Sequence, residues 1–218
     1  ITPAPTATPG PTSTPGQGDL SYPHSDNPYP YGIASVAVNQ ATEDSYVLQE
    51  YNNWKSRYVT ANGASGFLRV QRPSQSNDTV SEGIGYGMLF AVYFEDRTTF
   101  DGLWNYAKLY FDARGLMHWH IDANGNVVEQ NAAIDADEDM AIALVFADVK
   151  WGGYSQDATN LINNIYNYEI EAGTYVVKPG DMWGGSNCTN ISYFAPADYK
   201  VFAQYTGNTG WYSVVDKC

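Results

Sequence analysis

Residues 132–149 read AAIDADEDMAIALVFADV. Met140, Ala141, Ile142, Ala143, Leu144, Val145, Phe146 and Ala147 are apolar without interruption, so a helix over 136–149 presents apolar side chains all round. Such a helix has to be buried on every side, unlike one that lies on a surface. Its surroundings follow from the flanking periodicity. Val47, Tyr51, Trp54 and Tyr58 recur at helical spacing, as do Phe100, Leu103, Trp104, Ala107 and Phe111. The same holds for Trp211, Val214, Val215 and Cys218, and 158–170 adds a helix with Leu161, Ile162 and Ile165 inward. These segments are one-sided in the way of outer helices. Met117-His118-Trp119-His120-Ile121, the turn Asn124-Gly125 and Val127-Val128 read as a short β-hairpin. About seven helices and one hairpin, with no βαβ alternation, predict an all-α fold of paired layers, an α/α toroid. The last helix runs to the C-terminus with no Gly or Pro stop, as in an interrupted toroid.

Composition narrows the partners. The chain has 218 residues, with 11 Lys+Arg against 24 Asp+Glu, a formal net charge of −13. Scattered cations make no phosphate-tracking surface, so no nucleic acid partner is expected, and an acidic surface favours a neutral substrate. No apolar run reaches the length of a membrane span, so no membrane partner is expected. Residues 1–20 carry a Pro/Thr-rich string, ITPAPTATPGPTSTPGQG over 1–18, which reads as an extended linker tethering an upstream domain. It lacks the basic start and apolar stretch of a signal peptide. Residues 21–218 form the folded domain, with order expected from near Tyr22. Two cysteines, Cys188 and Cys218, allow one disulfide at most; pairing and free thiols both stay open.

Two segments carry candidate chemistry. In Asp78-Thr79-Val80-Ser81-Glu82-Gly83-Ile84-Gly85-Tyr86-Gly87-Met88, Thr79 and Glu82 have the spacing of a capping box. Three alternate glycines cost about 1 kcal/mol each inside a helix, which a sequence tolerates where backbone or ligand approaches closely. Met88 and the lack of a strand–helix unit exclude a dinucleotide fingerprint, so no cofactor is expected. In the second, Asp135 reads as an N-cap with Glu138 its partner, but a cap does not need four acids, Asp135, Asp137, Glu138 and Asp139. The spacing lacks the glycine and twelfth-position Glu of an EF-hand, and no metal is assigned. His118 and His120 lie on one face of a strand with no third ligand, so hydrogen bonding outweighs a metal reading. Both acidic segments open buried helices, so Glu82 and Asp135 are expected at one end of the toroid. Two carboxyls in an aromatic cleft are what glycoside hydrolysis requires, one protonated and another ionised. Eighteen Tyr and six Trp supply flat faces suited to pyranose rings, although most are needed for core and rim. Asn77, Asn187 and Asn190 begin glycosylation sequons, meaningful only in a eukaryotic secretory host.

Ser81-Glu82-Gly83-Ile84-Gly85-Tyr86-Gly87 and Ala133-Ile134-Asp135-Ala136-Asp137-Glu138-Asp139-Met140-Ala141 closely resemble the signatures of glycoside hydrolase family 8, typified by bacterial endoglucanases. The resemblance runs from about Tyr29 to Cys218. It includes Arg69-Val70-Gln71-Arg72, His118-Trp119-His120-Ile121-Asp122, Lys178-Pro179-Gly180-Asp181-Met182-Trp183-Gly184-Gly185 and Ser192-Tyr193-Phe194-Ala195-Pro196. It implies an (α/α)6 barrel and inverting, endo-acting hydrolysis of β-1,4-glucosidic bonds in secreted form. By resemblance Glu82 is the general acid, and Asp135 is the carboxylate that grips and distorts the sugar. Trp119, Trp183 and Tyr193 contact glucose units, and Ala132 does so through its backbone. Two departures stand out. Ile134 replaces the family's usual Thr or Ser, and the family's general base belongs to a later helix, beyond Cys218. A chain complete at Cys218 is therefore expected to be poorly active, and to self-associate through its unclosed helices. A noncatalytic glucan-binding relict, and a xylanase, chitosanase or lichenase of the same family, remain as alternatives.

Overall fold

The computed structural model describes residues 39–218. The expected linker over 1–20 and the expected onset of order near Tyr22 lie outside the described residues.

Seven α-helices occupy the described chain: α1 (Gln40–Tyr58), α2 (Ser81–Tyr93), α3 (Arg97–Leu109), α4 (Ile134–Trp151), α5 (Ser155–Tyr168), α6 (Pro196–Thr206) and α7 (Gly210–Val215). Five short strands, β1 (Val59–Thr60), β2 (Arg69–Val70), β3 (Thr79–Val80), β4 (His120–Ile121) and β5 (Val127–Glu129), make a β1-β2 pair and an antiparallel sheet ordered β3-β4-β5. The expected hairpin is β4–β5. It gains a third strand, because Thr79 pairs with Ile121 and Val80 with His120 just before α2 begins.

Helix α4 lies at the centre and packs against α2, α5 and α6. Its residues Ile134, Ala136 and Met140 to Val145 are all buried, as an apolar girdle requires. The outer helices bury one stripe each. Helix α3 turns Phe100, Leu103, Trp104 and Ala107 inward, and α5 turns Ala158, Leu161, Ile162 and Ile165. Helix α7 closes on α6 through Trp211, fully buried and stacked on Tyr199 at 5.2 Å between ring centroids. Burying a side chain of that size is worth about 1.5–3 kcal/mol, so this pair anchors the C-terminal helices. The layering is that of an α/α toroid with an incomplete ring of helices.

Three local expectations are corrected. Thr79 does not cap α2: it is a buried strand residue whose Oγ1 donates to the Val70 carbonyl at 2.9 Å and accepts from Arg69 Nη1 at 3.0 Å. Arg69 is itself buried, with Nε and Nη1 also donating to the Asn62 and Asn77 carbonyls, so satisfying a buried guanidinium outweighs a cap. Asp135 is not an N-cap either. Ala133 holds that position with no side-chain bond, and Asp135 is the second helical residue. Helix α7 stops at Val215, leaving Cys218 exposed beyond it; both cysteines are free.

Candidate active site

Glu82 and Asp135 are each the second residue of an inner helix, α2 and α4 respectively. What brings them together is the closeness of those helices. A Cβ on Gly85 would sit 2.8 Å from Asp139 Cβ and 3.1 Å from the Ala136 carbonyl oxygen, so only glycine permits this crossing. Gly87 serves the opposite face, where a Cβ would meet Leu103 Cδ1 at 2.7 Å. Strand β3 then fixes the start of α2, since the Ser81 N–H donates to the Trp119 carbonyl at 2.9 Å.

The electrostatics record the convergence. The Asp135 carboxyl is pushed up to about 6, first by burial and then by the charge of Glu82; the N–H groups of Ala136 and of Asp135 itself pull the other way. Burial and then the charges of Asp135 and Glu82 push up the Tyr193 hydroxyl. The Tyr86 hydroxyl responds to burial, Asp139, Asp135 and Glu82 in that order. Two phenols thus face the acid pair. Glu82 Oε2 and Asp135 Oδ1 are both buried with no hydrogen-bond partner within the protein.

Over this pair opens a cleft of about 390 Å³. Glu82 and Trp119 line it together with Asn131, Ala132 and Ala133 from the approach to α4, and Pro179, Trp183 and Tyr193 from the loops after α5. Trp183 is 53% exposed, an indole presented to solvent and not packed into the core. Five of the six residues singled out from sequence (Glu82, Trp119, Ala132, Trp183 and Tyr193) therefore line one cleft, while Asp135 stands beside Glu82 outside the ring of lining residues.

The four acids of α4 part company along the helix. Asp135 and Asp139, four residues apart, share the side next to α2, and the Asp139 carboxyl is pushed up to about 7 by burial, then by Asp198 and Asp135. Asp137 and Glu138 are buried instead. Burial holds both carboxyls well above the usual range, Glu138 accepting from the Tyr199 hydroxyl at 2.5 Å. Both oxygens of the fully buried Glu169 are unpartnered. Burial disfavours the charged form of all three carboxyls, a destination in the core that a cap reading did not anticipate.

A second group beside the cleft escaped the sequence reading. Arg72 grips Asp78 through Nε at 2.8 Å and Nη2 at 2.6 Å, and His120 Nε2 meets Asp78 Oδ2 at 2.8 Å. The hydrogen bond to Asp78 comes first in holding the Arg72 guanidinium in its charged form, and the charges of Asp78 and then Glu82 add to it, so this cation lies within reach of Glu82. Arg72 and His120 belong to motifs quoted above, but their shared partner Asp78 is visible only once β3 and β4 are paired. No helix among the described residues is long and apolar enough to cross a membrane.

An α/α toroid with two acidic helix starts beneath an aromatic-walled cleft supplies the paired carboxyls that glycoside hydrolysis uses. Residues 25–218 match the family model described as Glycosyl hydrolases family 8, and the chain belongs to that family. It is 56% identical over 200 residues to Endoglucanase A of Acetivibrio thermocellus, covering 87% of this chain and 42% of that protein. It is 50% identical over 209 residues to Endoglucanase C of Ruminiclostridium cellulolyticum, covering 91% of this chain and 45% of that protein. The chain thus spans less than half the length of these curated relatives. Among solved structures, the apo form of a β-1,3-1,4-glucanase from Paenibacillus sp. X4 superposes with a TM-score of 0.83 at 30% identity, covering 91% of this chain and 56% of that one.

Proposed function

We propose that this chain is the acid-bearing part of a secreted, inverting endo-β-1,4-glucanase module, with residues 1–20 its linker and 21–218 its catalytic portion. The observation that carries the reading is the pair of unpartnered carboxyl oxygens, Glu82 Oε2 and Asp135 Oδ1, at adjoining helix starts beneath Trp119, Trp183 and Tyr193. Glu82 donates its proton to the leaving glycosidic oxygen. Asp135 accepts hydroxyl hydrogen bonds from the sugar at the cleavage point and holds it in a distorted ring form, so part of the binding energy is expressed only as the bond breaks. Trp119 and Trp183 stack on glucose faces, Tyr193 contributes its hydroxyl, and the Ala132 backbone bonds to sugar hydroxyls. Water activation falls to a carboxylate in the remainder of the family's catalytic module. Secretion follows from the reading, because a polymeric substrate is met outside the cell.

The endoglucanase relatives support an internally cleaved β-glucan, which we take as β-1,4-linked. The likeness to a solved β-1,3-1,4-glucanase favours mixed-linkage glucan as a second substrate of the same cleft. The test is calorimetric titration of the chain with cellohexaose and with mixed-linkage oligosaccharides. The expected result is binding that Glu82→Gln preserves and Asp135→Ala weakens. No binding of either ligand by the folded chain would defeat the proposal.

A further inference from the structure

The cleft has two walls from distant parts of the chain, and one buried carboxylate joins them. Asp181 follows α5 and its side chain is 0% exposed. Its Oδ1 accepts the Ala132 N–H at 2.9 Å, across 49 positions of sequence, and its Oδ2 accepts from Arg114 Nη1 at 2.9 Å. Arg114 is fixed in turn, since its Nη1 also donates to Asp112 Oδ2 at 3.1 Å and its guanidinium lies 5.7 Å from the Tyr168 ring centroid. The Asp181 carbonyl accepts from Lys178 Nζ at 2.6 Å, so the residue is held through backbone and side chain alike.

The neighbouring contacts are equally close. A Cβ on Gly180 would lie 2.5 Å from the Ala132 carbonyl oxygen and 3.2 Å from Trp183 Nε1, so the two loops touch where glycine leaves room. The Ile134 N–H donates to the Pro179 carbonyl at 3.4 Å, a longer bond on the far side of Ala132. On the near side Asn131 has φ of 81°, a left-handed conformation that asparagine accepts more readily than most residues, and its carbonyl takes the Trp119 N–H at 2.9 Å. A continuous line of contacts therefore runs from Trp119 through Asn131 and Ala132 to Asp181, and across Gly180 to Trp183.

We propose that Asp181 is a positioning residue for the sugar site, its carboxylate locking the Ala132 backbone against the Trp183 loop so that both walls present one preformed surface. It touches no substrate and acts through Ala132 and Trp183. The proposal rests on the carbohydrate reading above. A charge-assisted acceptor is the appropriate device, because such bonds are shorter and stronger than neutral ones and hold a backbone amide in one direction. Preformed walls spare the ligand the cost of ordering a loop.

The test titrates cellohexaose into the full 218-residue chain and its variants, each matched for folded fraction by circular dichroism. Asp181→Ala is expected to weaken binding about tenfold, as loss of one charge-assisted bond implies. Asp181→Asn, which keeps an acceptor for the Ala132 N–H but turns an NH2 toward Arg114, is expected to recover part of the affinity and no more. In hydrogen exchange the Ala132 amide should open faster in Asp181→Ala and stay protected in Asp181→Asn. Rescue by Asn separates positioning from a general loss of stability. If Asp181→Ala does not fold, Arg114→Met carries the same test from the half-exposed partner and must weaken binding. Wild-type binding with unchanged affinity in a folded Asp181→Ala or Arg114→Met overturns this inference and leaves the carbohydrate reading intact. Absence of cellohexaose binding by the wild-type chain overturns both.

Discussion

Substituting Gly85 by alanine tests the crossing that brings Glu82 and Asp135 together. The new Cβ would lie 2.8 Å from Asp139 Cβ, 3.1 Å from the Ala136 carbonyl oxygen and 3.6 Å from the Met140 nitrogen. Carbon atoms in van der Waals contact stand about 3.5–4.0 Å apart, so α2 and α4 must separate by roughly 0.7 Å or more at this point. Of the two obstructing atoms, the Ala136 oxygen is helix backbone and the Asp139 Cβ is fixed to it, so neither can rotate aside. Overpacking of this kind costs about 1–3 kcal/mol, here toward the upper end, while alanine in a helix regains about 1 kcal/mol over glycine. The expected net effect is a destabilisation of about 1–2 kcal/mol, read from urea unfolding followed by tryptophan fluorescence with an unchanged m value. Gly83→Ala is the matched control. Its nearest obstacle is Val70 Cγ1 at 3.3 Å, a side chain that can give, so the propensity gain should roughly cancel the cost. Separation of the helices also moves Glu82 from Asp135, so Gly85→Ala should bind cellohexaose more weakly and Gly83→Ala should not. A Gly85→Ala protein as stable as wild type, or more so, would refute the reasoning.

Three other perturbations probe the core and the cleft. Tyr199→Phe removes the donor to Glu138 Oε1 and leaves a buried acid unpaired, which should lower stability by about 1–3 kcal/mol in chemical denaturation. Trp183→Ala should leave stability within about 0.5 kcal/mol, since the indole is 53% exposed, yet weaken oligosaccharide binding by about 1–2 kcal/mol in calorimetry. Folding raises the carboxyl pKa of Asp135 to about 6 and of Asp139 to about 7, and burial raises Asp137, Glu138 and Glu169 as well. The native state therefore keeps protons that the unfolded chain has released, from the ordinary carboxylate range up to these values. Stability should fall as pH rises through the window. Melting temperature measured from pH 5 to about pH 8 should decline, and Asp139→Asn should recover about 1–2 kcal/mol at the alkaline end once solvent screening of this half-buried group is allowed for.

The central helix was legible because eight apolar residues from Met140 to Ala147 admit no exposed face, and the helical family of elements followed from it. The glycines of α2 announced a close approach, although their partners did not appear until α2 and α4 were packed. Capping was misread for a definite reason. The string Thr79-Val80-Ser81-Glu82 satisfies a capping box locally, but the buried guanidinium of Arg69, ten residues earlier, claims the Thr79 hydroxyl. Likewise the four acids of 135–139 look alike in one dimension. Rotation about the helix sends Asp135 and Asp139 toward α2 and buries Asp137 and Glu138, and only tertiary packing tells which pair lies against α2. Asp181 shows the same limit: its role depends on an amide 49 positions away.

The most direct test of the central claim follows the anomer released by the complete catalytic module containing this chain, acting on cellohexaose and monitored by proton NMR from the first minutes. The account predicts that the α-anomer appears first, and that Glu82→Gln abolishes its release while oligosaccharide binding persists. Initial release of the β-anomer, or undiminished hydrolysis by Glu82→Gln, would contradict it.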